Sequence, residues 1–598
     1  MNERELRGLI AAVGTGQVPR RAFVRRMVAF GLSAPFANLL LANIGLAQTA
    51  PNAPYEPTKA GGGGPLKALW WEAPTLLNPH FAVGTKDQDG SRIFYEPLAA
   101  WDADGVLVPI LAAKAPSVED GDIAADGKSV VWKLKPDVKW HDGQPFTADD
   151  VVFNWEYASD PATAATTIGI YKDIKAEKID PLSVRLTFAK PTPFWAAAFT
   201  GVYGQIIPKH LFEKYKGGES RAAPNNLKPV GTGPYKFISF TPGDLVRGER
   251  NPNYHEANRP YFDTIEMKGG GDAVSAARAV IQTGEYDYAW NLQVEDEILK
   301  KLEESAGAKG RVEIVPTGSL EHIQLNSADP WTEVDGEFSS IKSRHPLLGD
   351  SAVREALSYL FDKNSVQKYI YGRTGIATGN FINAPPRFAS HSTKWEFNIA
   401  KANEILDKAG WKLGSDGVRA KDGKKLHLRY QTSVNAPRQK NQAIVKQACE
   451  KAGISMELKV IEASVFFSSD VANLDTYKHF HSDLQMFTTT MSSPDPSDFM
   501  RQFLSTEVAQ KSNKWQGRNV VRWQNPKYDE IFHASESELD AAKRAAMFIE
   551  MNDMVVDDYA IVPEINRPRV SGIAKNLNLA LTGWDGDFAF VKDWYRTT

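Results

Sequence analysis

The chain has 598 residues, a formal net charge of −3, 42% hydrophobic residues and 24% charged ones. That length corresponds to roughly three to four domain-sized units. The composition is that of a globular protein, and the near balance of charge excludes the basic footprint of a nucleic-acid binder.

In chain order, the first feature is the Arg20-Arg21 pair of "PRRAFVRR", ahead of an uncharged, mostly apolar run, Met27–Ala47, that ends in small residues. A basic region followed by an apolar region and small residues predicts a secretory signal over residues 1–47. Arg-Arg followed by a small residue and Phe resembles a twin-arginine signal. No later apolar run is long enough for a second membrane span. Residues 48–64 contain "APYEPTKAGGGG" and read as a flexible lead. Its glycines lack the Lys-Ser/Thr that follows a phosphate loop. "LKALWWEA" (residues 66–73) predicts the first strand.

Val130, Trp132 and Leu134 alternate with polar residues as a half-buried strand does. "KWHDGQPFTADDVVFNWEY" (Lys139–Tyr157) follows. His141-Asp142-Gly143 supplies turn chemistry. Thr147 stands at a helix N-cap, with Asp150 placed as the acid of a capping box. Val151, Val152 and Trp155 are expected on the buried face. Further on, "AVREALSYLFD" (residues 352–362) predicts a helix with Val353, Ala356, Leu357, Leu360 and Phe361 on one side. Gln442–Lys451 predicts another helix, stopped by Gly453 and followed by the alternating strand Ile454–Ile461. The lone Cys449 lies in this helix, where a packed thiol is expected. Helices alternating with strands argue for an α/β architecture.

Catalytic patterns are absent from the sequence: no Gly-x-Ser-x-Gly, no His-Glu-x-x-His and no paired cysteines. His141 and Asp142 have no nucleophile beside them. His479 and His481 would share one face of a strand, but no third ligand stands at a fixed spacing. A secreted hydrolase with a pair of carboxylates drawn from distant parts of the chain is the alternative of another class.

Several segments together resemble the family 5 extracellular solute-binding proteins, receptors of oligopeptide, dipeptide and nickel ABC importers. Residues 139–157 resemble the family's "FHDG-x-P-x-T-A-x-D-V-x-F" signature, and "VGTGPYKF" (Val230–Phe237) resembles its Gly-Thr-Gly-Pro-Tyr turn and strand. "RNPNYHEANRPYFDTIEMK", "AARAVIQTGEYDYAW", "VREALSYLFDKNSVQKYIYG", "ANEILDKAGW" and "NPKYDEIFHASE" follow in the family's order. The resemblance implies an α/β, two-lobed periplasmic-binding-protein fold of type II, the large class with an extra inserted domain and a ligand cleft between the lobes. It places lobe I over 65–90, 229–318 and 567–598, the inserted domain over 91–228, and lobe II over 319–566.

The same resemblance implies a monomeric receptor, periplasmic in a Gram-negative bacterium. It would carry a peptide or peptide-like solute to a membrane permease and have no catalytic residue, cofactor, metal or nucleic-acid partner. Val83, Thr85 and Asp87 match the ligand-contacting segment after "LNPH", where Asn78 replaces the usual Asp. Trp71 at a strand end and Trp290 near the hinge are aromatic candidates. In peptide-binding members an Asp precedes an acidic-Pro pair and binds the peptide's amino terminus. Aligning Asp495-Pro496 with that pair puts Ser492 in its place, with Thr488, Thr489 and Thr490 replacing aromatics. Hydroxyls suit a neutral, hydroxyl-rich ligand such as an oligosaccharide or an opine-like sugar conjugate. Asp495 is the one nearby carboxylate left to take over the charge.

Overall fold

The computed structural model describes residues 55–597 except Ser469 and Val471. The signal expected over residues 1–47 lies outside them. Among the described residues no helix is long and apolar enough to cross a membrane.

One mixed sheet runs through the molecule. Its main strands are β1 (Pro65–Trp70), β2 (Tyr235–Thr241), β3 (Leu245–Arg250), β4 (Thr264–Gly269), β5 (Tyr288–Ala289), β6 (Gly310–Leu325), β7 (His427–Ser433), β8 (Ser455–Ile461), β9 (Leu484–Thr489) and β10 (Ile561–Ala574). They lie in the order β8-β7-β9-β6-β10-β5-β1-β4-β3-β2, with the short strand Ile376–Ala377 beside β10. β1 is parallel to both neighbours, and its Leu66, Ala68 and Trp70 are wholly buried, as expected of a strand covered on both faces. β6 and β10 are much longer than the rest and pair antiparallel from Gly310 opposite Ala574 to Gln324 opposite Ile561. Their register slips between Val315 and Ser319. Every chain path from one half of the sheet to the other passes along this pair.

The segment between β1 and β2 builds its own three-stranded antiparallel sheet from Ser129–Lys133, Ile174–Asp180 and Ser183–Phe188. Helix α2 (Ala148–Ser159) packs against it; α1 (Gly84–Arg92) follows β1 after the short turn Pro79–Phe81. Thr147 caps α2 through a capping box with Asp150, because its hydroxyl oxygen accepts from the first-turn backbone while the Asp150 carboxylate accepts from Thr147 N–H at 3.0 Å. The buried face of α2 carries Val151, Phe153, Asn154, Tyr157 and Ala158; Val152 and Trp155, expected there, are only half-buried. The Trp155 indole N–H reaches Ile174 O at 2.8 Å, which draws the ring toward the sheet edge.

The His141-Asp142-Gly143 turn is a brace. Gly231 N–H donates to His141 Nδ1 at 3.1 Å, so the proton sits on Nε2, which donates to Gly233 O at 3.0 Å. The two quoted signature stretches thus hold each other. Gly231 is required there, since a Cβ would stand 1.7 Å from Phe94 O.

Helix α3 (Ser351–Ser358) buries Val353, Ala356 and Leu357, and Leu360 and Phe361 join the same core. Helix α4 (Ala436–Lys451) covers β7 and β8, with Cys449 buried inside it; burial pushes its thiol well above the ordinary range. Gly453, at positive φ, turns the chain into β8.

Two further local expectations fail. The described part of the lead, residues 55–64, is docked and not free: Gly61 N–H donates to Pro260 O, Gly63 N–H to Tyr261 O, and Gly62 and Gly64 to the Asp263 carboxylate. The glycines allow this approach, because a Cβ on Gly63 would stand 2.3 Å from the Tyr261 ring. His479–His481 is not a strand. Phe480 has φ 49°, His479 stacks on Trp515 and His481 on Phe338. Among the described residues no group of His, Cys, Asp or Glu is placed to hold a metal ion.

Candidate functional site

A cavity of about 640 Å³ lies over the middle of the sheet. Four parts of the chain wall it: the stretch from Trp71 through the start of α1, residues 165–172 with Tyr203 from the small-sheet segment, residues 290–293, and residues 467–520. The β6–β10 pair supplies its floor through Ser319 and Arg567.

The floor is a closed polar network. Glu321, fully buried in β6, receives Arg438 Nε at 2.8 Å, Gln293 Nε2 at 3.1 Å and Thr488 Oγ1 at 2.6 Å. Thr488 Oγ1 in turn accepts from Arg438 Nη2 at 3.2 Å and Arg567 Nη1 at 3.1 Å. Burial opposes ionisation of Glu321, but Arg438 and Arg567 outweigh it and hold the carboxyl below its ordinary value. Arg567 Nη2 also donates to Asn291 Oδ1 at 3.3 Å; burial lowers its pKa.

The aromatic wall is fixed as firmly. Trp71 Nε1 donates to Asn291 O at 3.0 Å, and its ring lies 5.4 Å from that of Trp290, which lies 6.0 Å from buried Trp70. Other contacts bridge the walls. Arg501 Nη1 donates to Gly169 O at 2.7 Å, Asn435 Nδ2 to Gln293 Oε1 at 3.1 Å, and Tyr203 reaches the side chains of Ser492 and Gln88. Lys478 also lines the space, and enclosure pulls its pKa down to about 8.

Trp71, Val83, Thr85, Trp290, Thr488, Thr489, Thr490 and Ser492 all line this cavity. Asp87 and Asp495 do not. Asp87 accepts from Thr75 N–H at 2.8 Å and Val83 N–H at 2.9 Å, so its carboxylate shapes the start of α1. Asp495 is buried against Arg544, on helix α5 (Ala541–Asp557), with Arg544 Nη2 donating to it at 2.9 Å. It therefore cannot replace a charge missing at Ser492. The threonine hydroxyls are also partly committed: Thr488 is spent on Glu321, and Thr489 Oγ1 donates to Gln502 Oε1 at 3.0 Å. Asn78 is wholly buried, caps the short turn after it and bonds Asn226, away from the cavity.

Glu321, Arg438, Arg567 and Tyr203 were not anticipated. Glu321 left one readable signal, an acidic residue between Leu320 and Ile323 in the strand "SLEHIQL". The enclosed mixture of aromatic walls and fixed polar groups is that of a site for a polar small molecule.

A family model for "Bacterial extracellular solute-binding proteins, family 5 Middle" matches residues 106–511. The oligopeptide-binding protein AppA of Bacillus subtilis is 25% identical over 496 residues, covering 81% of this chain and 83% of its own. The glutathione-binding protein GsiB of Escherichia coli K12 is 25% identical over 509 residues, covering 84% and 89%. Among solved structures, AppA of B. subtilis in complex with a nonapeptide superposes with a TM-score of 0.76 at 22% identity, covering 91% of this chain and 100% of that one. NikZ of Campylobacter jejuni with Ni(L-His) gives 0.73 at 21%, covering 89% and 99%.

Proposed function

The chain belongs to family 5 of the bacterial extracellular solute-binding proteins, and from that premise we propose that it captures a peptide or peptide-like solute and delivers it to the permease of an ABC importer. The observation that carries the reading is the cavity itself, an enclosed space with an aromatic wall and a floor of paired charges, in a family whose similar members include an oligopeptide-binding and a glutathione-binding protein. Capture then proceeds by burial of the solute between two lobes. Lobe I would comprise residues 65–90, 229–318 and 567–598, the inserted domain 91–228 and lobe II 319–566, with β6 and β10 as the hinge strands. The register slip after Val315 supports this, because an irregular pairing is where two long strands bend at least cost.

The polar network under Thr488 speaks for a ligand with charged ends over a neutral sugar, since part of the hydroxyl supply is already engaged. Export through the Arg20-Arg21 signal and action as a periplasmic monomer complete the reading. A thermal-shift screen of peptide and oligosaccharide libraries tests it: ligands that bind only the folded state raise its melting temperature by mass action. Peptides are expected to do so. A rise with oligosaccharides alone would replace the peptide reading.

A further inference from the structure

All acidic side chains at the cavity but one are each paired with an arginine, whereas the lysine Lys478 lines it without an ion pair among the described residues. Glu321 is taken by Arg438, Asp498 by Arg518 and Glu507 by Arg501. Glu72 is different. It follows Trp71 just past β1 and lines the cavity, yet among the described residues it has neither a hydrogen bond nor an ion pair. The nearest cations are committed elsewhere: Lys86 Nζ sits 2.9 Å from Asp87 Oδ1, and Arg438 is held by Glu321. Glu72 is half-buried and has no partner among the described residues, and desolvation by the cavity walls raises its pKa against the opposing pull of Lys86 and Arg438. Trp71 and Trp290 line the same cavity, and indole rings attract a cation over their faces. A carboxylate left unsatisfied by its own fold, in a cavity with two indoles, is built for a positive charge that arrives with the ligand.

We propose that Glu72 anchors the ligand's α-ammonium group, so that this cleft reads the free amino end of a peptide from the end of β1 and not from the position of Ser492. The proposal rests on the peptide reading above.

The test uses the mature chain, native mass spectrometry, and a randomised tripeptide pool lacking Lys, Arg and His, offered free or N-acetylated. The wild type should take up the free pool, and acetylation should lower occupancy by about tenfold or more, as loss of a desolvated charge pair does. Glu72→Gln should take up the free pool about tenfold less and bind the two pools alike. Its unliganded melting temperature should equal or exceed that of the wild type, because an unpartnered enclosed charge has been removed. Glu72→Asp should keep the preference for the free pool. A lower unliganded melting temperature for Glu72→Gln would assign the residue a structural role and overturn the proposal. So would undiminished discrimination between the pools by Glu72→Gln, or a wild type indifferent to acetylation. Uptake of neither pool by the wild type would overturn the peptide reading itself, and the anchor with it.

Discussion

Thr488 Oγ1 donates to Glu321 Oε2 at 2.6 Å and accepts from both Arg438 and Arg567. One hydroxyl thus joins β9, β6, α4 and β10 beneath the cavity. Removing it leaves a buried carboxylate and two guanidinium groups each short of a partner. Thr488→Val keeps the shape and is expected to cost about 1–3 kcal/mol of stability, read from urea unfolding. An unchanged midpoint would show that water replaces the hydroxyl there.

At Thr147 a structural role can be separated from binding. The residue caps α2, and neither it nor Asp150 lines the cavity. Thr147→Ala is expected to cost about 1 kcal/mol of stability and to leave solute affinity unaltered. A large affinity loss at normal stability would mean that α2 is a binding element.

Acid sensitivity follows from two buried imidazoles, His80 and His322, and the half-buried His141. His80, His141 and His322 are each pulled down to about 4, mainly by burial. In the unfolded chain they take up protons near pH 6.5, so the unfolded state binds more protons as pH falls, and stability is lost from about pH 6.5 down to about pH 4. Each fully buried ring is worth on the order of 3 kcal/mol at 1.36 kcal/mol per pKa unit. Glu564 works in the opposite sense. Burial raises it to about 8, so its folded-state proton adds stability as pH falls from 8 toward 4.5. Urea midpoints should therefore drop between pH 7 and pH 4.5, and drop further in Glu564→Gln. A midpoint that rises on acidification would contradict this balance.

Export is tested on the Arg20-Arg21 pair. Replacing both by Lys is expected to leave precursor in the cytoplasm, visible by fractionation and immunoblot. Normal accumulation of the double variant outside the cytoplasm would point to the general secretory route.

Local physics made much of the scaffold legible in the sequence. Thr147 and Asp150 announce their capping box by spacing, Val353 to Phe361 their buried stripe by period, and Gly453 the end of α4 by position. The cavity was legible only in part. Trp71, Val83, Thr85, Trp290 and residues 488–490 with 492 converge on it, but Asp87 and Asp495 are drawn into local structure, by α1 and by Arg544. No local pattern tells a carboxylate that binds a ligand from one that satisfies its own backbone or a distant arginine. The floor was illegible for a related reason: Glu321, Arg438 and Thr488 are far apart in the chain, and only the pairing of β6 with β9 and the packing of α4 bring them together. The glycine lead misled because composition reports freedom in the unfolded chain, whereas a Cβ-free backbone is also what lets Gly63 lie against Tyr261.

The central claim, that a peptide is captured in this cleft, is tested most directly by titration calorimetry of the mature chain with a randomised tripeptide pool, alongside a Ser492→Trp variant that places an indole in the cavity Ser492 lines. The account predicts saturable binding of one peptide per wild-type chain and none to the folded variant. Equal binding by the variant, or saturation of the wild type by an oligosaccharide pool and not by peptides, would contradict it.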